Sequence, residues 1–137
     1  MPLHIGSELI HLAEPIDIVR ARAGARRVAG LMGFGPADQT RLATAVSELS
    51  RNVLQYASKG QCEISDVSTE TERGICIVVE DNGPGIPDIS RAMQDGYSTS
   101  GGLGAGLPGT QRLMDSFAID SQPGLTRVSI TMRRKLA

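Results

Sequence analysis

Asp81-Asn82-Gly83-Pro84-Gly85 and Gly101-Gly102-Leu103-Gly104-Ala105-Gly106 stand within one 26-residue stretch, and Glu48-Leu49-Ser50-Arg51-Asn52 lies upstream of both. The reading of this set decides the fold. Asp81 closes the apolar run Gly74-Ile75-Cys76-Ile77-Val78-Val79-Glu80, so its carboxylate is expected at a strand end, where the backbone turns beneath a ligand. A carboxylate there accepts a hydrogen bond from the amino group of a base, and glycines let the chain approach phosphates closely.

Gly104-Ala105-Gly106-Leu107-Pro108-Gly109 formally matches G-x-G-x-x-G, but it is not a dinucleotide fingerprint. That motif needs a hydrophobic strand immediately before it, and here Asp95-Gly96-Tyr97-Ser98-Thr99-Ser100 precedes it. A P-loop is excluded because no Gly-Lys-Ser/Thr triplet occurs. What remains is a glycine loop entering a helix read over Leu107 to Met114, beginning at Pro108. Its free N–H groups and dipole suit a polyphosphate.

Outward from this stretch the elements order themselves. A short strand near Ser7 to Ala13 precedes a helix opening at Pro15, with an apolar stripe at Ile16, Val19, Ala23, Val28 and Leu31. Gly33-Phe34-Gly35 stops it and Pro36 starts a second helix, striped by Leu42, Ala45, Val46, Leu49, Val53, Leu54 and Ala57 and ended by Ser58-Lys59-Gly60. Glu48 and Asn52, four apart, project from one face of that helix. Gln61 to Thr69 and Gly74 to Asp81 read as an antiparallel pair joined at Glu70 to Arg73. Asn82 to Gly104 reads as a long loop, of the kind that is functional or mobile, with one or two helical turns at Asp88 to Asp95. Phe117 to Ser121 and Thr126 to Met132 form a final hairpin around Pro123-Gly124, and Arg133-Arg134-Lys135 reads as a solvated end.

Composition narrows the function. The 137 residues form one domain, large enough to bury roughly two-thirds of the surface of the unfolded chain. Fourteen basic against 15 acidic residues give a net charge of −1, and aromatics are 3% with no Trp, so neither nucleic acid nor an anionic membrane is an expected partner. Cys62 and Cys76 have no metal-spaced companions and read as reduced thiols. His4 and His11 read as ordinary histidines. No basic leader followed by a long apolar run opens the chain, and no apolar segment approaches ~18 residues, so a cytoplasmic protein is expected.

The three motifs, in this order, resemble the GHKL (Bergerat-fold) ATPases and kinases. Asp81 to Gly85 is similar to the D-x-G-x-G box, Glu48 to Asn52 to the N box, and Gly101 to Leu107 to the second glycine box. The resemblance implies an α+β fold: a two-layer α/β sandwich, its mixed and mainly antiparallel sheet covered on one face by helices. Met32-Gly33-Phe34-Gly35, Ala45 to Asn52, Glu80 to Asp88 and the continuous stretch Asp95 to Gly109 resemble a narrower group, the RsbT-type stressosome switch kinases, related to anti-sigma factor kinases.

By this resemblance ATP and Mg²⁺ are the cofactors. Asn52 is the Mg²⁺ ligand, Glu48 the catalytic carboxylate and Asp81 the acceptor for the adenine amino group. Gly83 and Gly85 shape the base pocket, Gly102, Gly104 and Gly106 line the phosphates, Ile86, Gly101, Leu103, Ala105 and Leu107 complete the ATP-binding residues, and Thr126 holds the adenine-side position on the closing hairpin. The implied activity is phosphorylation of Ser or Thr on a STAS-domain protein, with a PP2C-type phosphatase as a further partner. The alternative is an anti-sigma factor that sequesters a sigma factor. A histidine-kinase reading is disfavoured, because no segment offers a His in a dimerising helical hairpin.

Overall fold

The computed structural model describes residues 7–86, 93 and 106–136. Among the described residues five strands and three helices run in the order β1 (Glu8–Leu12), α1 (Pro15–Leu31), α2 (Pro36–Tyr56), β2 (Gly60–Asp66), β3 (Glu72–Asp81), α3 (Gly106–Leu113), β4 (Ser116–Gln122) and β5 (Leu125–Lys135). The strands form one sheet in the order β1-β2-β3-β5-β4, and every pairing is antiparallel. The expected two-layer α+β sandwich is therefore present, without a parallel pair among the described residues.

Both long helices start as their sequences dictate. Pro15 and Pro36 occupy the first turns, where the missing N–H costs no bond. At α1 the Asp17 carboxylate accepts the N–H groups of Ala13 (2.9 Å) and Glu14 (3.0 Å), and these bonds hold its carboxyl below the usual aspartate range. The core lies between the helices and one face of the sheet. Leu42, Val46 and Leu49 of α2 pack there with Ile64, Ile75, Ile77, Val79, Val128, Ile130 and Met132. Alternation in β3 and β5 puts every second residue on this face, as the sequence pattern predicts.

Two expectations are corrected. The buried side of α1 is Asp17, Ala21, Gly24, Ala25, Val28 and Ala29, while Ile16, Val19 and Leu31 are 50%, 43% and 58% exposed. Close approach explains the inversion: a Cβ on Gly24 would already come within 3.0 Å of Ile10 Cδ1, so only small side chains fit beneath the helix. Of the residues picked out by hydrophobic spacing only Val28 is buried, and the rest of the contact is made by small residues.

The tail is not a solvated end. β5 continues through Arg133, Arg134 and Lys135, which pair in register with Gly74, Arg73 and Glu72. Arg134 donates to Asp38 of α2 and to Asp115, each at 2.9 Å, and the Asp38 carboxyl is held low chiefly by that Arg134 hydrogen bond. The long partner strand β3 supplies the ladder that extends the tail.

Neither cysteine is bonded to the other. Cys62 is buried in the core, which pushes its thiol up to about 12 and leaves it protonated and unreactive; Cys76 is half-buried. Among the described residues no helix is long and apolar enough to cross a membrane.

Candidate functional site

β3 ends on Asp81, and the sheet decides what stands beside it. Asp81 pairs in register with Thr126 of β5, and Thr126 with Ser121 of β4, so the three form a row across adjacent strands. Asp81 and Thr126 are each 8% exposed. The Gly83 N–H donates to Asp81 Oδ1 at 2.9 Å, leaving Oδ2 outside the described hydrogen bonds. Burial raises the Asp81 carboxyl above the ordinary aspartate value, the Gly83 bond opposes it, and the neighbouring Glu80 adds to the rise. This is a buried carboxylate with one oxygen unpaired among the described residues.

The loop after Asp81 is laced onto the tip of the β4–β5 hairpin. Asn82 Nδ2 donates to the Gly124 carbonyl (3.1 Å), the Gly124 N–H donates to the Gly83 carbonyl (2.9 Å), and the Ile86 N–H donates to Ser121 Oγ (2.7 Å). The glycines are there for space. A Cβ on Gly83 would stand 2.5 Å from Ala57 Cβ at the end of α2, and one on Gly85, whose φ is +85°, would stand 2.7 Å from the Gln122 carbonyl oxygen.

Between this loop, the sheet and α2 lies a cleft of about 430 Å³, counting its open mouth. Asn52, Asp81, Gly85, Ile86, Leu107 and Thr126 line it, six of the residues that the motifs single out. Its remaining walls are Leu49, Val53, Tyr56, Val79, Pro84 and Val128. None of these was a candidate from the motifs, yet a signal existed. Leu49, Asn52, Val53 and Tyr56 follow the i, i+3, i+4, i+7 rule and present one face of α2 to the ligand space. An apolar slot with a few convergent polar groups is the usual form of a small-molecule site.

Glu48 is placed differently from Asn52. It is 1% exposed, does not line the cleft, and its Oε2 accepts from Arg51 Nη1 at 2.9 Å. Arg51 was not a candidate; its i,i+3 spacing from Glu48 was the available sign. Gly83 lies beside the cleft rather than in its wall. Gly106 opens α3, whose first turn carries Leu107 into the cleft. Gly101, Gly102, Leu103, Gly104 and Ala105 lie outside the described residues, as do most of the Asp88 to Asp95 turns. A larger depression between β1 and α1 holds none of the motif residues.

Residues 37–136 match the family described as histidine kinase-, DNA gyrase B-, and HSP90-like ATPase. The chain belongs to that family. Over 108 residues, 79% of this chain and 81% of the relative, it is 56% identical to the serine/threonine-protein kinase RsbT of Bacillus subtilis. It is 31% identical over 100 residues to the anti-sigma F factor of Bacillus licheniformis, covering 69% of this chain and 68% of that one. Among solved structures, the RsbU and RsbW domains of a Mycobacterium tuberculosis protein superpose with a TM-score of 0.64 at 17% identity. That match covers 100% of this chain and 33% of the other, and it shows a shared fold.

As a member of the histidine kinase-, gyrase B- and HSP90-like ATPases the chain uses ATP, and the cleft is where its motif residues converge. Among the described residues there is no group of three or more His, Cys, Asp or Glu able to hold a metal by themselves. Asn52, which lines the cleft, carries a side-chain oxygen of the kind that can ligate Mg²⁺ when substrate phosphates and water complete its shell.

Proposed function

We propose that this chain, an ATP-using serine/threonine-protein kinase of its family, transfers the γ-phosphate of ATP to a Ser or Thr on a STAS-domain protein in a partner-switching pathway. The observation that carries the reading is the convergence of Asn52, Asp81, Leu107 and Thr126 on one cleft, with a buried carboxylate at its floor. The adenine lies between the α2 stripe and Val79 and Val128, its amino group donating to Asp81. The polyphosphate runs toward the N-terminus of α3. Asn52 is the protein ligand to Mg²⁺, which would supply charge neutralisation on the phosphates.

Phosphoryl transfer asks the protein chiefly for positioning and electrostatics. The apolar walls exclude water from the base, and the backbone N–H groups at the start of α3 face developing negative charge. Glu48 serves as the carboxylate that accepts the proton of the attacking hydroxyl. Its pairing with Arg51 orients it from inside α2. The 56% identity to a serine/threonine-protein kinase supports the reaction, and the 31% identity to an anti-sigma F factor supports a protein partner. A PP2C-type phosphatase that the chain activates on release is a second partner in this reading, and the cytoplasm its setting.

The test incubates the chain with γ-labelled ATP, Mg²⁺ and a STAS-domain protein. Label on Ser or Thr is expected, and Asn52→Ala should abolish it while the circular dichroism spectrum stays that of the wild type. An Asn52→Ala chain with normal turnover would overturn the metal assignment. ADP binding without transfer, together with capture of a sigma factor rather than the STAS protein, would favour the second reading, an anti-sigma factor.

A further inference from the structure

Asn82 is exposed and stands outside the cleft wall, yet its side chain makes one of the hydrogen bonds that fasten that wall in place. Gly124, at the tip of the β4–β5 hairpin, is gripped at both of its backbone groups: its carbonyl accepts from Asn82 Nδ2 at 3.1 Å, and its N–H donates to the Gly83 carbonyl at 2.9 Å. A further bond runs from the Ile86 N–H to Ser121 Oγ at 2.7 Å, and Ser121 Oγ stands 2.7 Å from Thr126 Oγ1. We propose that Asn82 is a positioning residue for the nucleotide: it clasps the segment Pro84 to Ile86 to the hairpin tip, so that this side of the cleft is built before a ligand arrives.

The need for a clasp follows from the composition of the segment it holds. Pro84, Gly85 and Ile86 line the cleft, but Pro84 has no N–H to donate and Gly85 no side chain to pack. The glycines bring the chain close to Ala57 on one side and to Gln122 on the other, but close contact by itself sets no register along the hairpin. Hydrogen bonds do. Gly124 has a φ of +95°, and a Cβ there would meet nothing within 4 Å, so it is a glycine for its backbone angle and not for room. Of the two bonds on Gly124, the one to Gly83 joins backbone to backbone and needs no particular residue. The one from Asn82 depends on a side-chain amide, and a residue without a donor at this position loses it.

The consequence is one of population. A segment free to leave the hairpin presents an assembled wall for only a fraction of the time, and apparent affinity falls by that fraction. One neutral hydrogen bond is worth about three- to tenfold in such an equilibrium. The wall touches the base side of the ligand, whereas the transferred phosphate lies toward α3, so its loss weakens ground state and transition state alike. That is the signature of uniform binding, a raised KM with kcat unchanged. The inference rests on the reading of this cleft as the nucleotide site of a kinase.

The experiment compares the full chain as wild type, Asn82→Ala and Asn82→Asp. Amide hydrogen exchange of the ligand-free chains, followed by NMR, should show the Gly124 and Ile86 N–H groups exchanging about three- to tenfold faster in Asn82→Ala, while Ile77 and Ile130 in the core strands keep the wild-type rate. Asn82→Asp keeps the shape of the side chain but sets an acceptor against the Gly124 carbonyl, so its Gly124 should exchange at least as fast as that of the alanine variant. In Asn82→Ala, ADP affinity by calorimetry should fall by the same factor as exchange rises, and the KM for ATP in transfer to a STAS-domain protein should rise with it, kcat staying within about twofold. Wild-type exchange at Gly124 in both variants overturns the clasp. Faster exchange with unchanged ADP affinity, or a fall in kcat at constant KM, overturns its part in nucleotide binding. A wild-type chain that binds no ADP fails the reading of the cleft itself, a separate result that leaves the exchange data standing.

Discussion

Replacing Asp81 by Asn tests the floor of the cleft with a change of one atom. The Gly83 N–H, 2.9 Å from Oδ1, needs an acceptor, so the new amide will keep its oxygen on that side and turn Nδ2 toward the ligand. Two losses then add: a hydrogen bond to a charged acceptor, about 1.5–3 kcal/mol, becomes a contact between two donors. ADP affinity should fall at least about a hundredfold, each tenfold step being about 1.4 kcal/mol. Stability should move the other way. Burial raises the Asp81 carboxyl in the folded chain above its unfolded value, so above both values the charged form costs folding free energy, and the neutral amide removes that cost. Asp81→Asn should melt no lower than the wild type at pH 7. The difference should close as pH falls through the raised Asp81 value, where the wild type also becomes neutral. Calorimetry with ADP and thermal melts at pH 7 and pH 4 supply both readouts. A variant that binds ADP like the wild type, or one that loses binding only in proportion to lost stability, would refute the argument.

Glu48→Gln should slow phosphoryl transfer by about 10²–10⁴-fold, the usual yield of a general base, while ADP affinity stays within about twofold because Glu48 does not line the cleft; single-turnover kinetics with labelled ATP separate the two. Gly85→Ala should cost about 1–3 kcal/mol in urea unfolding and weaken ADP. Its φ of +85° disfavours any side chain, and the new Cβ would stand 2.7 Å from the Gln122 carbonyl. A Gly85→Ala chain of wild-type stability would show that this loop moves freely against the hairpin.

Much of the site was legible in the sequence because its signals are local. A strand that ends on Asp81, a glycine that must turn at Gly85, and Asn52 one turn beyond Glu48 all follow from neighbours in the chain. The α1 face was misjudged for the opposite reason. What buries Ala21, Gly24 and Ala25 is the nearness of Ile10 and α2, and no periodicity of hydrophobic residues records that distance. The tail was misjudged because its partners, Asp38 and the end of β3, lie far away in sequence.

The sequence by itself determined the order of elements, the three nucleotide motifs and the family. Only the tertiary structure decided which of those residues share a cleft, that Glu48 sits behind it on Arg51, and that Ser121 joins Ile86 to Thr126. The physical reason is register. Antiparallel pairing sets Asp81, Thr126 and Ser121 side by side although about 40 residues separate the first from the other two, and a one-residue slip would turn each of them to the opposite face.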